Sequence, residues 1–261
     1  MEKRHPLIDP KTEGAAFEIV NRDGASNFLL VCEHASNRIP ASLNELGLTP
    51  DARAAHISWD LGAAEVAAHL SGHLDAALIA PRFSRLVHDC NRPSDDASAM
   101  PERVDSIDIP GNVGLSDAAR QARIRELYRP FHDALASLIA ARDRPGRKPI
   151  IVTIHTFTPV YQGRRRQLDL GILHDRDTRL ADQVLKLCAR DDALVTRRNQ
   201  PYGPSDGVTH TLKTHALPRG LLNVMFELRN DLVADDACQR AMAQRLSMLL
   251  TAAVEDRRGS A

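Results

Sequence analysis

The chain has 261 residues, of which 43% are hydrophobic and 26% charged, and its 34 basic side chains balance its 34 acidic ones to a formal net charge of zero. This composition excludes a disordered chain, and the neutral charge argues against nucleic acid or an anionic membrane surface as a partner. The four cysteines form no CxxC pair, the N-terminal segment lacks the apolar core of a signal peptide, and no stretch reaches the roughly 18 apolar residues of a membrane span. We therefore expect a soluble cytoplasmic protein that binds neither nucleic acid nor membrane, with its oligomeric state left open.

Short apolar runs alternate with longer amphipathic segments along the whole chain. The β-branched run IIVTI at 150–154 is the best candidate for a central strand, and Ser116 predicts the N-cap of a long helix. In chain order we predict strand 28–32, helix 58–74, strands 76–80 and 85–88, loop 93–114, helix 116–142, strands 150–154 and 168–173, helix 177–190, loop 199–207, strand 222–227 and helix 235–257. The loop at 93–114 is long enough to indicate a functional segment.

This alternation predicts an α/β fold, a mostly parallel mixed sheet flanked by helices. With no internal repeat and no composition break, a single domain is expected over residues 1–261. About 20 N-terminal and about five C-terminal residues are expected to be peripheral to it.

Polar residues follow three of the predicted strands, where ligands gather in open α/β sheets. Glu33 and His34 end the first strand, His155 ends the central one and Glu227 ends the last. Two imidazoles and a carboxylate at one edge of a sheet suit a catalytic zinc site, which takes three protein ligands and leaves one position for water. A glutamate beside such a site can move the proton of that water.

Each of these residues also has a purely structural interpretation. His34 or His155 could be a hydrogen-bonded polar residue where a strand ends, and Glu227 could pair with Arg229 or cap the next segment. Similarly, the run 164–166, three arginines, is typical of a solvated face. The coincidence of His34, His155 and Glu227 at strand ends is what favours a functional site.

Five segments together resemble the N-formylglutamate amidohydrolase family, which is similar in fold and site layout to zinc carboxypeptidases and aspartoacylases. They cover most of the chain from position 31 to 231: VCEHASNRIP (31–40), WDLGAAEVAAHL (59–70), SRLVHDCNRP (84–93), VTIHTF (152–157) and MFELRND (225–231). The resemblance implies a zinc-carboxypeptidase-like (phosphorylase/hydrolase-like) domain. It also implies that zinc is the cofactor, with His34 and His155 as ligands and Glu227 as general base and acid.

The same resemblance implies residues that would hold the substrate. Asn91 and Arg92 would match the pair that grips a substrate carboxylate, because the planar guanidinium can make two charge-assisted hydrogen bonds. Arg85 has two interpretations, a structural ion pair with Asp89 or a substrate contact. The remaining candidates for the substrate pocket are Arg229 and His215.

The third metal ligand is the point at which the sequence departs from the zinc carboxypeptidases. Those enzymes carry His-x-x-Glu at the first ligand, whereas position 37 here is Asn37. Asp60, at the start of the next predicted helix, is our choice, although it could be a helix-start carboxylate favoured by the helix dipole. Glu33 is the competitor, but adjacent residues that leave a strand point to opposite faces.

The leading hypothesis is a zinc amidohydrolase that cleaves the N-formyl amide of an acidic amino acid, such as N-formyl-L-glutamate, to formate and glutamate. Its partner would be a small N-acyl amino acid. One alternative makes Cys32 a nucleophile with His34 as its base, although a cysteine closing an apolar strand is more often a small buried hydrophobe. Others are a non-catalytic protein on the same fold that binds a small molecule or peptide, and a hydrolase of another N-acyl amino acid.

Overall fold

The computed structural model of the protein describes residues 6–258, and its centre is a seven-stranded mixed sheet. The strands are β1 Phe17–Val20, β2 Phe28–Val31, β3 Ala77–Pro81, β4 Ile150–Phe157, β5 Leu170–Leu173, β6 Thr196–Arg198 and β7 Asn223–Arg229. Their order across the sheet is β1–β3–β2–β4–β7–β5–β6. The central strands β3, β2, β4 and β7 are mutually parallel, whereas β1 and the β5–β6 pair run the opposite way. The mostly parallel sheet expected from the sequence is confirmed.

Helices cover both faces of this sheet. The α-helices of the described residues are α1 Pro50–Ala54, α2 Ala63–Leu74, α3 Asp117–Arg123, α4 Arg129–Arg142, α5 Arg179–Cys188 and α6 Asp236–Arg258. A π-helical turn, Ile124–Tyr128, joins α3 to α4, so the long predicted helix is continuous; Ser116 caps it by accepting a hydrogen bond from the amide of Ala119. Within the described residues, no helix is long and apolar enough to cross a membrane.

Shorter elements fill the connections. A second π-helical turn spans Leu212–Ala216, and two small hairpins pair Arg103–Val104 with Ile107–Asp108 and Val160–Tyr161 with Arg164–Arg165. The 3₁₀ turns are Ala41–Gly47, Ala97–Ala99, Pro110–Asn112, Pro204–Asp206, Leu217–Arg219 and Asn230–Val233. The predicted loop at 93–114 therefore contains a hairpin, and the predicted loop at 199–207 contains a 3₁₀ turn.

Two predicted elements differ from the structure near the site. The strand predicted at 85–88 is a turn. The helix predicted from residue 58 begins only at Ala63, because Gly62 has a φ of 80° and a side chain there would lie 2.7 Å from the carbonyl oxygen of Val233. Asp60 consequently lies in the loop before α2, with its backbone amide bonded to the carbonyl of His34 at 3.0 Å.

Of the N-terminal residues expected to be peripheral, 17–20 form an edge strand of the sheet, and 1–5 lie outside the described residues. β1 forms one edge, and Ile8 and Ala16 are buried against the rest of the protein. Edge strands such as β1 and β6 bury few side chains, so their apolar pattern is weak and neither was predicted from the sequence. Of the five C-terminal residues expected to be peripheral, 259–261 lie outside the described residues.

Two hydrophobic cores, one on each side of the sheet, hold the layers together. Helices α2, α5 and α6 pack on one face, and α4 with the 212–216 turn packs on the other. Every residue of β4 is buried, as expected for a parallel strand covered on both faces. In the β4–β7 register His155 lies opposite Glu227, so the packing of the sheet places these two side chains on one face.

Candidate metal centre and active site

Three buried ligand atoms converge near the carboxyl ends of β2 and β4. Asp60 Oδ2 lies 3.3 Å from His34 Nδ1 and 3.0 Å from His155 Nδ1, and the two Nδ1 atoms are 3.2 Å apart. A tetrahedral zinc ion with bonds of about 2.0–2.1 Å would separate its ligand atoms by about 3.3 Å. The spacing therefore fits one zinc-sized ion held by the two histidines and Asp60.

Carboxylates behind both imidazoles explain why the Nδ1 atoms face one another. His34 Nε2 lies 2.8 Å from Asp89 Oδ1, and His155 Nε2 lies 3.0 Å from Glu33 Oε2. An ionised carboxylate can only accept a hydrogen bond, so Asp89 favours a proton on His34 Nε2. Glu33 lies at ion-pair distance from His155 Nε2 and favours a proton there as well. With these protons in place, each neutral ring would present the lone pair of its Nδ1 to a metal ion. Two lone pairs and the oxygen of Asp60 then point at the same place, an arrangement that a cation stabilises.

The electrostatics of the two outer carboxylates agree with this protonation state. Burial alone would raise the pKa of Glu33, but the facing His155 imidazole holds it below its ordinary value. Burial likewise opposes ionisation of Asp89, and the neighbouring Arg85 and His34 bring its pKa well below the ordinary value. Both carboxyl groups are therefore ionised at neutral pH.

Glu227 is a buried carboxyl group at the edge of the same site. Its side chain lines the cavity, and no hydrogen bond to its Oε2 is made by any part of residues 6–258. Burial raises the pKa of Glu227 to about 7, with the charge of Asp60 adding to the effect and His155 opposing it. A carboxyl group that titrates near neutral pH can both take and return a proton.

A cavity of about 520 Å³ opens over Glu227 and the three converging residues. Its outer wall comes from the 98–105 part of the long loop and from the segments 155–161 and 202–208. Part of the long loop therefore lines the cavity, and its functional role stays a prediction. This volume is within the usual range for small-molecule pockets.

Three arginines line this cavity, and the charges of the two predicted from the sequence, Arg85 and Arg92, are neutralised differently. Arg85 pairs with Asp89 at 2.7 Å and approaches Asp60 at 3.6 Å, so the predicted structural ion pair exists while the side chain also faces the cavity. Arg92 donates to the backbone carbonyl of Asp206 at 2.8 Å, and it has no carboxylate within ion-pair distance in the described part of the chain. The positive charge of Arg92 is therefore available to an anionic ligand.

Asn91 lines the cavity, but its amide is engaged with the backbone. It donates to the carbonyl of Val208 at 2.6 Å and accepts from the amide of Thr211 at 3.1 Å. These two bonds fasten the 88–93 segment to the 208–211 segment. Asn91 therefore supports the wall that carries Arg92.

Two of the predicted substrate residues are not brought to the cavity. Arg229 forms ion pairs with Asp169 at 2.6 Å and Asp231 at 2.7 Å, because β7 ends beside the β5 edge of the sheet. His215 is buried on the π-helical turn, where its ring stacks on His132 and its Nε2 lies 2.8 Å from His132 Nδ1. Both side chains are occupied by partners from neighbouring elements.

The residues behind the two alternative interpretations, Cys32 and Asn37, are not among the converging residues. Cys32 has no exposed surface, and burial raises the pKa of its thiol well above the ordinary value, so it holds its proton. The amide of Asn37 donates to the carbonyl of Arg53 at 3.1 Å. The third atom that converges with the two imidazole nitrogens is Oδ2 of Asp60, a residue distant in sequence from His34.

A cluster of an arginine and two tyrosines at the cavity wall was not predicted from the sequence. Arg164 and Arg165 are exposed as expected, but Arg166 is half-buried, with its guanidinium 4.7 Å from the ring centre of Tyr161 and 5.3 Å from that of Tyr202. Both tyrosines line the cavity. In the sequence, this cluster is indicated only by Tyr161 five residues before Arg166 in a short turn-like segment. That pattern is too common to predict a contact.

Comparisons with known proteins identify a family and a shared fold. A family model described as N-formylglutamate amidohydrolase matches residues 26–234. A crystal structure of a gene product from Agrobacterium tumefaciens is 50% identical, covers 97% of this chain and 99% of its own, and has a TM-score of 0.94. The crystal structure of an N-formylglutamate amidohydrolase from Ralstonia eutropha JMP134 is 19% identical, covers 94% of this chain and 99% of its own, and has a TM-score of 0.63, which supports the fold. No curated protein matches the chain in sequence.

The family model spans most of the chain, including all the residues that converge at the site. The chain therefore belongs to the N-formylglutamate amidohydrolase family. Membership implies a hydrolase that acts on carbon–nitrogen bonds other than peptide bonds.

Proposed function

We propose that this member of the N-formylglutamate amidohydrolase family is a zinc enzyme that hydrolyses the N-formyl amide of an acidic amino acid, N-formyl-L-glutamate above all. The observation that carries the proposal is the convergence of His34, Asp60 and His155 beside Glu227. Two imidazole nitrogens and one carboxylate oxygen are the donor set of many catalytic zinc sites. The substrate would be a small N-acyl amino acid that fits the cavity.

His34, Asp60 and His155 would hold the metal through the three atoms that face one another. When bound, zinc supplies a Lewis acid that lowers the pKa of a water molecule and polarises the carbonyl oxygen of the substrate. Asp60 Oδ2 is kept in place by a hydrogen bond from the amide of Thr156 at 3.2 Å. The three ligands leave the cavity side of the site open for water and substrate.

Glu227 would carry the proton. It takes a proton from the attacking water as that oxygen bonds to the formyl carbon, and it gives the proton to the amide nitrogen as the carbon–nitrogen bond breaks. The products are formate and the free amino group of glutamate, so atoms and charges balance. The pKa of about 7 suits a group that accepts and releases a proton within one turnover.

Arg92 would bind a substrate carboxylate, because its guanidinium faces the cavity without an acidic partner among residues 6–258. Arg85 lies nearer the ligand atoms, held by Asp89 and close to Asp60. Its charge would stabilise the negative oxygen that develops on the formyl carbon during attack. Tight pairing with Asp89 keeps this guanidinium in place.

The test is a formate-release assay on the purified protein. N-formyl-L-glutamate should yield formate, a chelator should abolish the activity, and added zinc should restore it. Elemental analysis should find about one zinc ion per chain, as expected for a mononuclear site. Activity that survives both chelation and the Glu227→Gln substitution would overturn the proposed mechanism.

Other N-acyl amino acids form the second candidate class of substrate. The cavity volume of about 520 Å³ exceeds what a formyl group and a glutamate side chain require. A panel of N-formyl and N-acetyl derivatives of glutamate, aspartate and glutamine separates the two possibilities. A higher kcat/KM for an acetyl derivative than for N-formyl-L-glutamate would replace the formyl specificity with a broader one.

A further inference from the structure

We propose that Glu33 and Asp89 are positioning residues of the metal site, each holding one metal-binding imidazole, and that Asp89 also couples the metal site to the cavity arginine. This inference rests on the zinc site of the proposed function. It extends that function to two carboxylates that touch neither the metal nor the substrate.

Glu33 lies behind the imidazole of His155 and pairs with it. Its side chain is 0% exposed, and its one ion-pair partner among the described residues is His155, with Oε2 lying 3.0 Å from Nε2. A buried charge costs several kcal/mol unless it is paired, so an unneeded carboxylate at this position would destabilise the protein. Its position also follows from the strand, since Glu33 leaves β2 on the side opposite His34 and reaches the far nitrogen of His155.

Asp89 has three partners, and two of them belong to the active site. Oδ1 lies 2.8 Å from His34 Nε2 and accepts the amide of Asn91 at 2.8 Å, while Oδ2 accepts from Arg85 at 2.7 Å. The carboxylate is itself 2% exposed. One rigid group therefore orients a metal ligand with one oxygen and a cavity cation with the other.

A carboxylate behind a metal-binding imidazole acts in two ways. It fixes the proton on the outer nitrogen and the orientation of the ring, and it makes the inner nitrogen a stronger ligand. Loss of such a partner typically weakens metal binding about 10–100-fold. Among the described residues Glu33 forms an ion pair with His155 alone, whereas Asp89 also pairs with Arg85 at the cavity. The two carboxylates should therefore differ in their effect on substrate.

The experiment compares Glu33→Gln and Asp89→Asn with the control Glu65→Gln, which removes the charge of an exposed glutamate on α2. The zinc Kd of each protein is measured by competition with a chromophoric chelator, independently of turnover. We expect Glu33→Gln and Asp89→Asn to bind zinc about 10–100-fold more weakly and Glu65→Gln to bind as the parent does. At saturating zinc, Asp89→Asn should also raise KM, while Glu33→Gln should leave KM unchanged.

The visible spectrum of the cobalt-substituted proteins provides a second readout. Rotation of one imidazole changes the ligand field, so the cobalt bands of both variants should shift, whereas those of Glu65→Gln should not. A zinc Kd within about twofold of the parent in both folded variants, well below the expected loss, would overturn the proposal. Should one variant fail to fold, the other decides, since each carboxylate serves a different imidazole. A parent protein that binds no zinc would instead refute the proposed metal site itself.

Discussion

Two groups of buried histidines lie close together in this molecule, and their imidazoles have opposite properties. Burial lowers the pKa of His34 and of His155, but Asp89 and Asp60 for the first and Glu33 for the second more than offset it, so both values are raised. Both rings therefore lie in a strongly negative environment. Such an environment attracts a metal cation.

The second group lies behind the site and contains no ion pair with a carboxylate among the described residues. Burial lowers the pKa of His88 to about 4, that of His132 to about 3 and that of His215 to about 4. His132 donates from Nε2 to the carbonyl of Cys90 at 2.9 Å, so its Nδ1 accepts from His215. These imidazoles are neutral packing groups.

The neighbouring carboxylates, rather than burial or the residue type, determine whether the pKa of a buried histidine is raised or lowered here. The sequence alone placed His215 in the substrate pocket with His34 and His155 at the metal. Only the surrounding side chains separate the two groups. Substitutions in and around the two groups test this distinction.

The same substitution in each group should have different consequences. His155→Asn should abolish stoichiometric zinc and formate release, because one of the three ligand atoms is lost. His132→Asn should retain zinc but lower the free energy of unfolding by about 1–3 kcal/mol, because buried partners lose their hydrogen bonds. Elemental analysis and urea unfolding measure both effects. Loss of zinc from a folded His132→Asn protein would contradict the separation of the groups.

Glu227→Gln should lower kcat about 10²–10⁴-fold, because a carboxamide cannot take the proton of the attacking water. Zinc content should remain that of the parent, since Glu227 lies beside the ligand atoms without belonging to them. The exposed Glu65→Gln variant provides the control for loss of a carboxylate. A fall of less than tenfold would assign the proton transfer to another group.

Arg92 and Arg103, two of the three arginines that line the cavity, should differ in their effect on substrate binding. Arg92→Gln should raise KM for N-formyl-L-glutamate about 10–100-fold, which corresponds to a charge-assisted hydrogen bond of about 1.5–3 kcal/mol. Arg103 also lines the cavity but pairs with Asp108 at 3.0 Å, so Arg103→Gln should change KM less than about threefold. Equal effects in steady-state kinetics would show that pairing does not determine which arginine holds the substrate.

The neutral histidines should make the protein sensitive to acid. The pKa of His88 in the folded chain, about 4, lies below the ordinary 6.5, so the unfolded chain takes up the proton first as the pH falls. Stability is thus fully present above about pH 6.5 and is lost progressively toward pH 4. His88→Leu should reduce the loss between pH 7 and 5 by about 1–2 kcal/mol, measured by urea unfolding at each pH. An unchanged slope would mean that His88 is protonated in the folded protein.

Much of the site could be predicted because its residues follow strands. Parallel strands end at one edge of a sheet, so His34, His155 and Glu227 had to lie near one another once the strands were recognised. Alternation along β2 also predicted that Glu33 would point away from His34. This alternation does not predict that Glu33 lies beside Nε2 of His155, because that contact depends on the register of β2 against β4.

Other features depended on contacts between distant segments. His132 lies on α4 and His215 on the π-helical turn, 83 residues apart, and no local pattern indicates that they stack. Arg229 was expected in the substrate pocket but is held by Asp169 and Asp231. The packing of β7 beside β5 determines the ion-pair partners of Arg229, and the hydrophobic pattern does not specify that packing.

The amino-acid sequence by itself determined the alternation of strands and helices, the mixed sheet and the chemistry available at the ends of its central strands. Apolar periodicity is a local property, so it determines the element type and which side chains share a face. The tertiary structure decided which carboxylate stands behind which imidazole and where Asp60 joins the two histidines. Those contacts join residues 26 to 122 positions apart, and their distances are set only when whole layers pack together.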